Sequence, residues 1–270
     1  MQTGTDKHIK GIDVSRHQGA IDWGAMRKSG VQFVYIKATE GATYTDPKLK
    51  EHYAGARQAG LKIGFYHYAR VYNDPRKEVE NLLAATKGLQ YDLPFALDIE
   101  QHEGDFVKHR DKYTRTFVSD FCRRWLQHIE KLTGEKPIVY TYTAFTKAYL
   151  DKTLATWPVW IAHYGVKTPG ENGVWDRWVI HQYTCDNDGL PYNGGLDVNV
   201  MEPDFLNWNV KPLPVIQRRI SAAVNGQRVG DGYLIDNVSY LPVRVIAELF
   251  GARVEWDDPT VDITKKDTSS

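Results

Sequence analysis

Between Ile9 and Leu150 a short apolar segment is followed five times by a segment of helical period, and this rhythm restricts the fold more than any other feature. Ile9–Ser15, Val31–Ala38, Leu61–Tyr68, Leu93–Glu100 and Pro137–Tyr142 read as strands. A short helix through Met26 and Lys28 opens on Asp22 and closes at Gly30. A second runs from Asp46-Pro47 to Gly60, with Leu49, Tyr53 and Ala56 on one stripe. A third covers Pro75–Thr86, a long fourth Phe106–Leu132 before Gly134, and a short fifth ends near Leu150. Pro158–Tyr164, Trp178–Thr184 and Leu196–Val200 then read as three more strands, joined by Gly, Pro, Asn and Asp without helical period. Eight strands alternating with helices predict an α/β fold: a modified TIM-like barrel with five helices and eight strands over residues 1–206, simplified in its last third.

Asp98 and Glu100 lie two apart at the end of the fourth strand, so they share a face about 6.6 Å apart along the chain. Phe95, Leu97 and Ile99 take the other face. An acid pair at a strand end is a weak signal alone, since a strand running into an acidic turn looks the same. The same alternation on the other strands adds Gly11 and Asp13, then Glu40 in phase with Ile36 and Ala38. It also adds Gly64, Tyr66 and Tyr68; Tyr140 and Tyr142; Ala162 and Tyr164; Gln182; and Asp197 and Asn199. All are expected at the C-terminal ends of their strands, the rim where barrel enzymes hold their sites. Crowded acids raise the pKa of at least one of them. A protonated acid beside ionised ones is what cleavage of a glycosidic bond requires.

Each residue has a competing structural use. Asp13 could form a turn, Glu40 could pair with Lys37 or another surface cation, and Gln182 could satisfy buried backbone. Tyr66, Tyr68, Tyr140 and Tyr142 could fill the barrel, and Trp157, Trp160, Trp175 and Trp178 could be core. His17, His67, His163 and His181 lie near strand ends and raise a metal reading. They form no closely spaced set, so neither metal nor cofactor is expected.

Lys plus Arg and Asp plus Glu number 34 each, which leaves no global field for nucleic acid or an anionic membrane. No run approaches the ~20 apolar residues of a membrane span. Met1–Lys10 is polar, without the apolar core of a signal peptide, so the expected place of synthesis is the cytosol, with another exit route. A monomer is expected. Cys122 and Cys185 are expected to be free thiols. Residues 207–214, with Pro212 and Pro214, read as a linker. A small α+β module is expected over 215–264: a hairpin turn at Val224–Gln227, a helix over Leu241–Gly251 and a strand over Ala252–Trp256. Residues 265–270 read as a tail.

Several of these segments together resemble the glycoside hydrolase family 25 muramidases, the Chalaropsis-type lysozymes of bacteria and phage endolysins. The carriers are Gly11–Ser15, Lys37–Gly41, Gly64–Tyr68, Leu97–Glu100, Tyr140-Thr141, Trp160–Tyr164, Gln182-Tyr183 and Leu196–Asn199. The resemblance covers about residues 8–206 and implies hydrolysis of the β-1,4 bond between N-acetylmuramic acid and N-acetylglucosamine in bacterial peptidoglycan. It implies Glu100 as general acid, Asp98 as partner carboxylate, and Asp13 and Asp197 as flanking acids. Glu40, Tyr66, Tyr68, Tyr140, Tyr164 and Gln182 then become candidate substrate-binding residues. His181 stands where many relatives carry Trp, on the outward face. The competing class is a non-catalytic wall-binding protein on the same barrel, which would be expected to lose Glu100 or Asp98. A chitinase-type barrel fits less well, because its longer acidic run is absent around Asp98. Residues 215–263 resemble the copper amine oxidase N-terminal module, carried by Tyr240–Glu248 and Gly251–Trp256. With no His or Cys there, copper is not expected, and wall anchoring is the role the resemblance suggests.

Overall fold

In the computed structural model the described residues are 1–108, 110 and 113–207, then 216–224, 227–235, 238–240, 247, 248, 250, 252–257 and 260–265. The chain divides into two units, Met1–Asn209 and Val210–Ser270. The elements of the first are β1 (Ile9–Val14), α1 (Trp23–Lys28), β2 (Phe33–Glu40), β3 (Tyr44–Thr45), α2 (Leu49–Gln58), β4 (Lys62–Tyr68), α3 (Pro75–Thr86) and β5 (Ala96–Asp98). They continue with α4 (Glu103–Lys108), α5 (Arg115–Thr133), β6 (Ile138–Tyr142), α6 (Thr143–Tyr149), β7 (Val159–Ala162), β8 (Ile180–Thr184) and β9 (Asp197–Met201).

Eight strands close on themselves in the order β1-β2-β4-β5-β6-β7-β8-β9, with β3 a short hairpin partner of β2. The first seven run parallel, and β9 is antiparallel to both β8 and β1. The strands are buried on both faces, as a helix-covered barrel requires. Ile12, Ile36, Phe65, Leu97 and Val139 face the helices. Phe33, Tyr35, Ala96, Ile138, Trp160 and Ile180 fill the barrel interior.

Local chemistry sets the helix ends. The Asp22 carboxylate accepts from Ala25 N at the start of α1. Asp74 caps α3, with Pro75 in the first turn. α5 ends at Gly134 in the left-handed region (φ 69°), whose N–H donates to the Glu130 carbonyl.

The expected helix over Phe106–Leu132 is two helices. Thr114 takes an extended conformation and caps Phe117 N, which starts α5 afresh, and the buried Tyr113 precedes it. The second helix starts at Leu49 rather than Asp46, because both Asp46 carboxylate oxygens accept backbone N–H groups, one from Arg16 and one from Lys48. Cys122 and Cys185 are free thiols. Among the described residues no helix is long and apolar enough to cross a membrane.

In the second unit, strands over Ile216–Val224 and Gln227–Ile235 form the expected hairpin, and Val238–Tyr240 pairs with the second of them. Ala252–Asp257 pairs with Thr260–Lys265, a strand not anticipated, which ends at the first residue of the expected tail. Of the helix expected over Leu241–Gly251, Ala247 and Glu248 are helical; the rest of that segment, apart from the turn residue Phe250, the linker at 208–214 and the tail at 266–270 lie outside the described residues.

Candidate active site

Four acids meet at one end of the barrel. Asp13, Asp98, Glu100 and Asp197 line a cavity of about 100 Å³. Its walls are Tyr66, Tyr140 and Gln182, and its floor is Trp160, with ring centres 4.8 Å from Tyr35 and 4.7 Å from Tyr140. This aromatic layer separates the acids from the apolar interior and excludes water beneath them.

Asp197 reaches the group by a route that the strand-end expectation did not contain. It is the first residue of β9, not near its C-terminal end. Because β9 is antiparallel, its start lies at the same rim, with Asp197 directly across the ladder from Asp13. Such cross-strand side chains stand about 5 Å apart, so the two carboxylates repel.

Asp13 is held by hydrogen bonds. Its Oδ2 accepts from Gln182 Nε2 and from Asn199 Nδ2, each at 2.8 Å. Trp160 Nε1 donates to Asn199 Oδ1 at 2.7 Å. The hydroxyls of Tyr140 and Tyr164 both donate to Gln182 Oε1 at 2.9 Å, and Tyr164 also reaches Asp197 Oδ1 at 3.3 Å. Gln182 is thus an organiser of the acid layer rather than a partner for buried backbone. Asp98 is different: it is 5% exposed, and its Oδ1 has no hydrogen-bond partner.

These surroundings shift the acids upward. Burial raises Asp13 well above the usual carboxylate range, and Asp197 adds to it, against the two amide hydrogen bonds. Burial also raises Asp98, with the charge of Glu100 next and Lys37 opposing. Glu100 is pushed up to about 7, by burial first, against Lys37 and with Asp197. Asp197 is raised by burial, and its bond from Tyr164 opposes this.

Glu40 faces the mouth by a different route from the one expected. Ile36 and Ala38 point outward into the helix layer. The β2–β4 pairing steps from Lys37↔Tyr66 to Thr39↔His67, so Ala38 is an extra residue, a β-bulge. Lys37 faces inward in phase with Phe33 and Tyr35, and the bulge reverses the alternation after it, so that Glu40 also turns inward. Glu40 accepts from Lys37 Nζ at 2.8 Å and from Arg70 at 3.0 Å. Burial would raise its carboxyl, but these two cations hold it below the ordinary value. Behind the bulge, buried His67 joins Thr39 Oγ1 and Glu78 Oε2, each at 2.8 Å, and stacks on Trp125.

Tyr68 packs edge-on against His102, with the Lys37 ammonium 4.7 Å from its ring centre. Tyr66 meets Trp160 edge-on. His181 faces out of the barrel against Trp178 and Tyr183, as expected. His163 accepts from Gly170 N, and among the described residues no group of three or more His, Cys, Asp or Glu could hold a metal.

Two clefts flank the acids. One of about 510 Å³ lies over β6 and β7, between Glu100, Tyr142, Lys147, His163 and Tyr164. The other, about 360 Å³, lies over the loops after β1, β2 and β4, between Arg16, Tyr44, Arg70, Asn73 and Asp105. Glu100 lines both the first cleft and the acid cavity. A cavity of about 480 Å³ around Trp157, Trp175 and Trp178 includes none of the four acids. The residues that the sequence left without a role at the site are Lys37 and Trp160. Trp160 shares the parity of Ala162 and Tyr164, which was the available signal, whereas Lys37 shares that of Phe33 and Tyr35, the face opposite to the one expected to turn inward on β2.

Residues 12–189 match the model of glycosyl hydrolases family 25, and residues 223–270 match that of the copper amine oxidase N-terminal domain. Residues 210–270 contain no His, Cys or Met, so their donor set does not fit copper. The chain is 44% identical over 198 residues to the autolytic lysozyme of Clostridium acetobutylicum, covering 73% of this chain and 57% of that protein. The bacterial lysozyme structure of Streptomyces coelicolor superposes with a TM-score of 0.67 at 26% identity, covering 76% of this chain and 98% of that one. The CTP1L endolysin structure gives a TM-score of 0.63 at 26% identity, covering 74% and 68%.

Proposed function

The chain belongs to glycosyl hydrolase family 25, and on that premise we propose that it is an N-acetylmuramidase, a lysozyme acting on bacterial peptidoglycan. The bond cleaved is the β-1,4 link between N-acetylmuramic acid and N-acetylglucosamine. The observation that carries this reading is Glu100: it borders both a sugar-sized cleft and the acid cavity, and burial keeps its carboxyl protonated to about pH 7. Glu100 gives its proton to the leaving glycosidic oxygen. Asp98, buried with a free oxygen in the same cavity, supplies the carboxylate that stabilises the positive charge growing on the sugar. Asp13, fixed by Gln182 and Asn199, and Asp197 complete the negative field. Tyr66, Tyr68, Tyr140 and Tyr164 offer ring faces and hydroxyls to sugar. Glu40, held by Lys37 and Arg70, acts on substrate through the rim that it orders.

Digestion of purified walls tests the reading. New reducing ends at N-acetylmuramic acid are expected by mass spectrometry. Reducing ends at N-acetylglucosamine, or peptide release without new reducing sugars, refute it.

The setting we propose is that of an endolysin, made in a host cytoplasm and released onto the wall; the likeness to CTP1L endolysin supports it. The autolytic relative supports a second setting, turnover of the cell's own wall. Appearance only on phage induction favours the first, and presence in the wall of growing cells the second. We assign residues 215–264 to wall contact. Deletion from Pro212 onward should weaken binding to walls and spare hydrolysis of soluble fragments; unchanged wall binding removes that role.

A further inference from the structure

Lys37 is the basic side chain whose charge reaches the acids of the mouth. It is in phase with Phe33 and Tyr35 of the barrel interior, and one inserted residue, Ala38, brings Glu40 to the same face. Its side chain is 11% exposed, donates to Glu40 Oε2 at 2.8 Å, and has its ammonium 4.7 Å from the Tyr68 ring centre and 6.0 Å from that of Tyr44. It forms no ion pair within 4.0 Å with Asp98 or Glu100. An ammonium at that remove in a buried mouth acts on both acids by charge without fixing either in a hydrogen bond.

We infer that Lys37 is a positioning residue for the reaction: turned inward on β2 and held by Glu40 and Tyr68, its charge sets the pH window in which Asp98 is ionised while Glu100 still holds a proton. The inference rests on the hydrolase reading above. The groups around it are Glu40 on its own strand, Tyr44 on β3, and Tyr68 and Arg70 on and after β4. Asp98 on β5 lies across the ladder from Tyr68, and Glu100 after β5, Asp13 on β1 and Asp197 on β9 share the cavity of Asp98. After burial, Lys37 is the largest influence on Glu100, and it is the one that opposes the rise of Asp98. Glu40 works the other way on Asp98.

The signs follow. Removing the ammonium destabilises both ionised carboxylates, so both limbs of the pH–rate profile move up. Removing the Glu40 charge leaves the ammonium uncompensated, so the Asp98 limb moves down. The experiment measures kcat/KM against pH for wild type, Lys37→Met, Lys37→Arg and Glu40→Gln. In parallel, the side-chain carboxyl carbons of Asp98 and Glu100 are titrated by NMR. Lys37→Met is expected to raise both apparent pKa values by about one pH unit, and Lys37→Arg to leave them within a few tenths. Glu40→Gln is expected to lower that of Asp98. A Lys37→Met profile that drops in height with its limbs unmoved overturns the inference, as does a Glu40→Gln shift upward. If Lys37→Met fails to fold, Lys37→Arg and Glu40→Gln decide by the same signs. If wild type cleaves no wall, the hydrolase reading has failed, and the NMR titration still decides whether Lys37 governs the acids.

Discussion

Replacing Glu100 by glutamine is expected to slow glycosidic cleavage by roughly 10²- to 10⁴-fold, the usual contribution of a positioned general acid. The amide matches the carboxyl in size. Among the described residues the Glu100 side chain accepts no hydrogen bond, so the substitution breaks none. What it removes is the transferable proton. A leaving sugar oxygen is a poor leaving group unless protonated as the bond breaks, so the loss falls on kcat. KM should change little, since the tyrosine-lined cleft is untouched. Steady-state rates on wall fragments of defined length check this. Activity within about threefold of wild type would remove Glu100 from the acid role, whatever the products are.

Much of this site was legible in the sequence because its geometry rests on simple periodicities. Asp98 and Glu100 are two apart at a strand end, and Asp13 and Gln182 follow from the same alternation. Capping residues and glycines marked α1 and α3 closely. Three features were hidden for physical reasons. A bulge made by Ala38 has no local signature, since alanine carries neither turn chemistry nor a preference for positive φ, yet it brings Glu40 to the mouth beside Lys37. The direction of β9 is not written in β9. It follows from the stretch between Thr184 and Asp197, which holds no α-helix of the kind that usually brings a chain back parallel. The break before α5 leaves Phe106, Tyr113 and Phe117 at helical spacing, and the extended Thr114, capping Phe117, starts the second helix.

Bulge and reversed strand have related consequences. Each places a charge at the rim from a position that regular alternation in a parallel barrel would send elsewhere. The bulge supplies Glu40, the partner of the inward cation Lys37, and the reversed strand the fourth acid. The balance between them decides how many protons the mouth holds, and that balance can be read without following the reaction.

The barrel is expected to lose stability as pH rises from about 5 to 8, and Glu100→Gln is expected to abolish much of that loss. Glu100 has its folded-state pKa raised to about 7 from an ordinary 4.5, so the folded protein binds more protons than the unfolded chain between those values. Its stabilising contribution is complete below about pH 4.5 and disappears as pH passes about 7. At 1.36 kcal/mol per pH unit, that interval corresponds to about 3 kcal/mol at most. Asp98 and Asp13, raised by burial, act in the same direction. Glu40 acts oppositely: burial would raise it, but Lys37 and Arg70 hold it low, so its contribution is lost as pH falls toward acid. Together these place the optimum near pH 5. In thermal unfolding at pH 8, Glu100→Gln should melt above wild type by several degrees, at about 2–4 °C per kcal/mol for a domain of this size. The two curves should meet near pH 4. A wild type more stable at pH 8 than at pH 5, with Glu100→Gln unchanged from it, would mean that the acids are not buried against one another as described. An inactive variant that is also more stable at alkaline pH separates a strained catalytic carboxyl from a structural one, because loss of a structural carboxylate lowers both activity and stability.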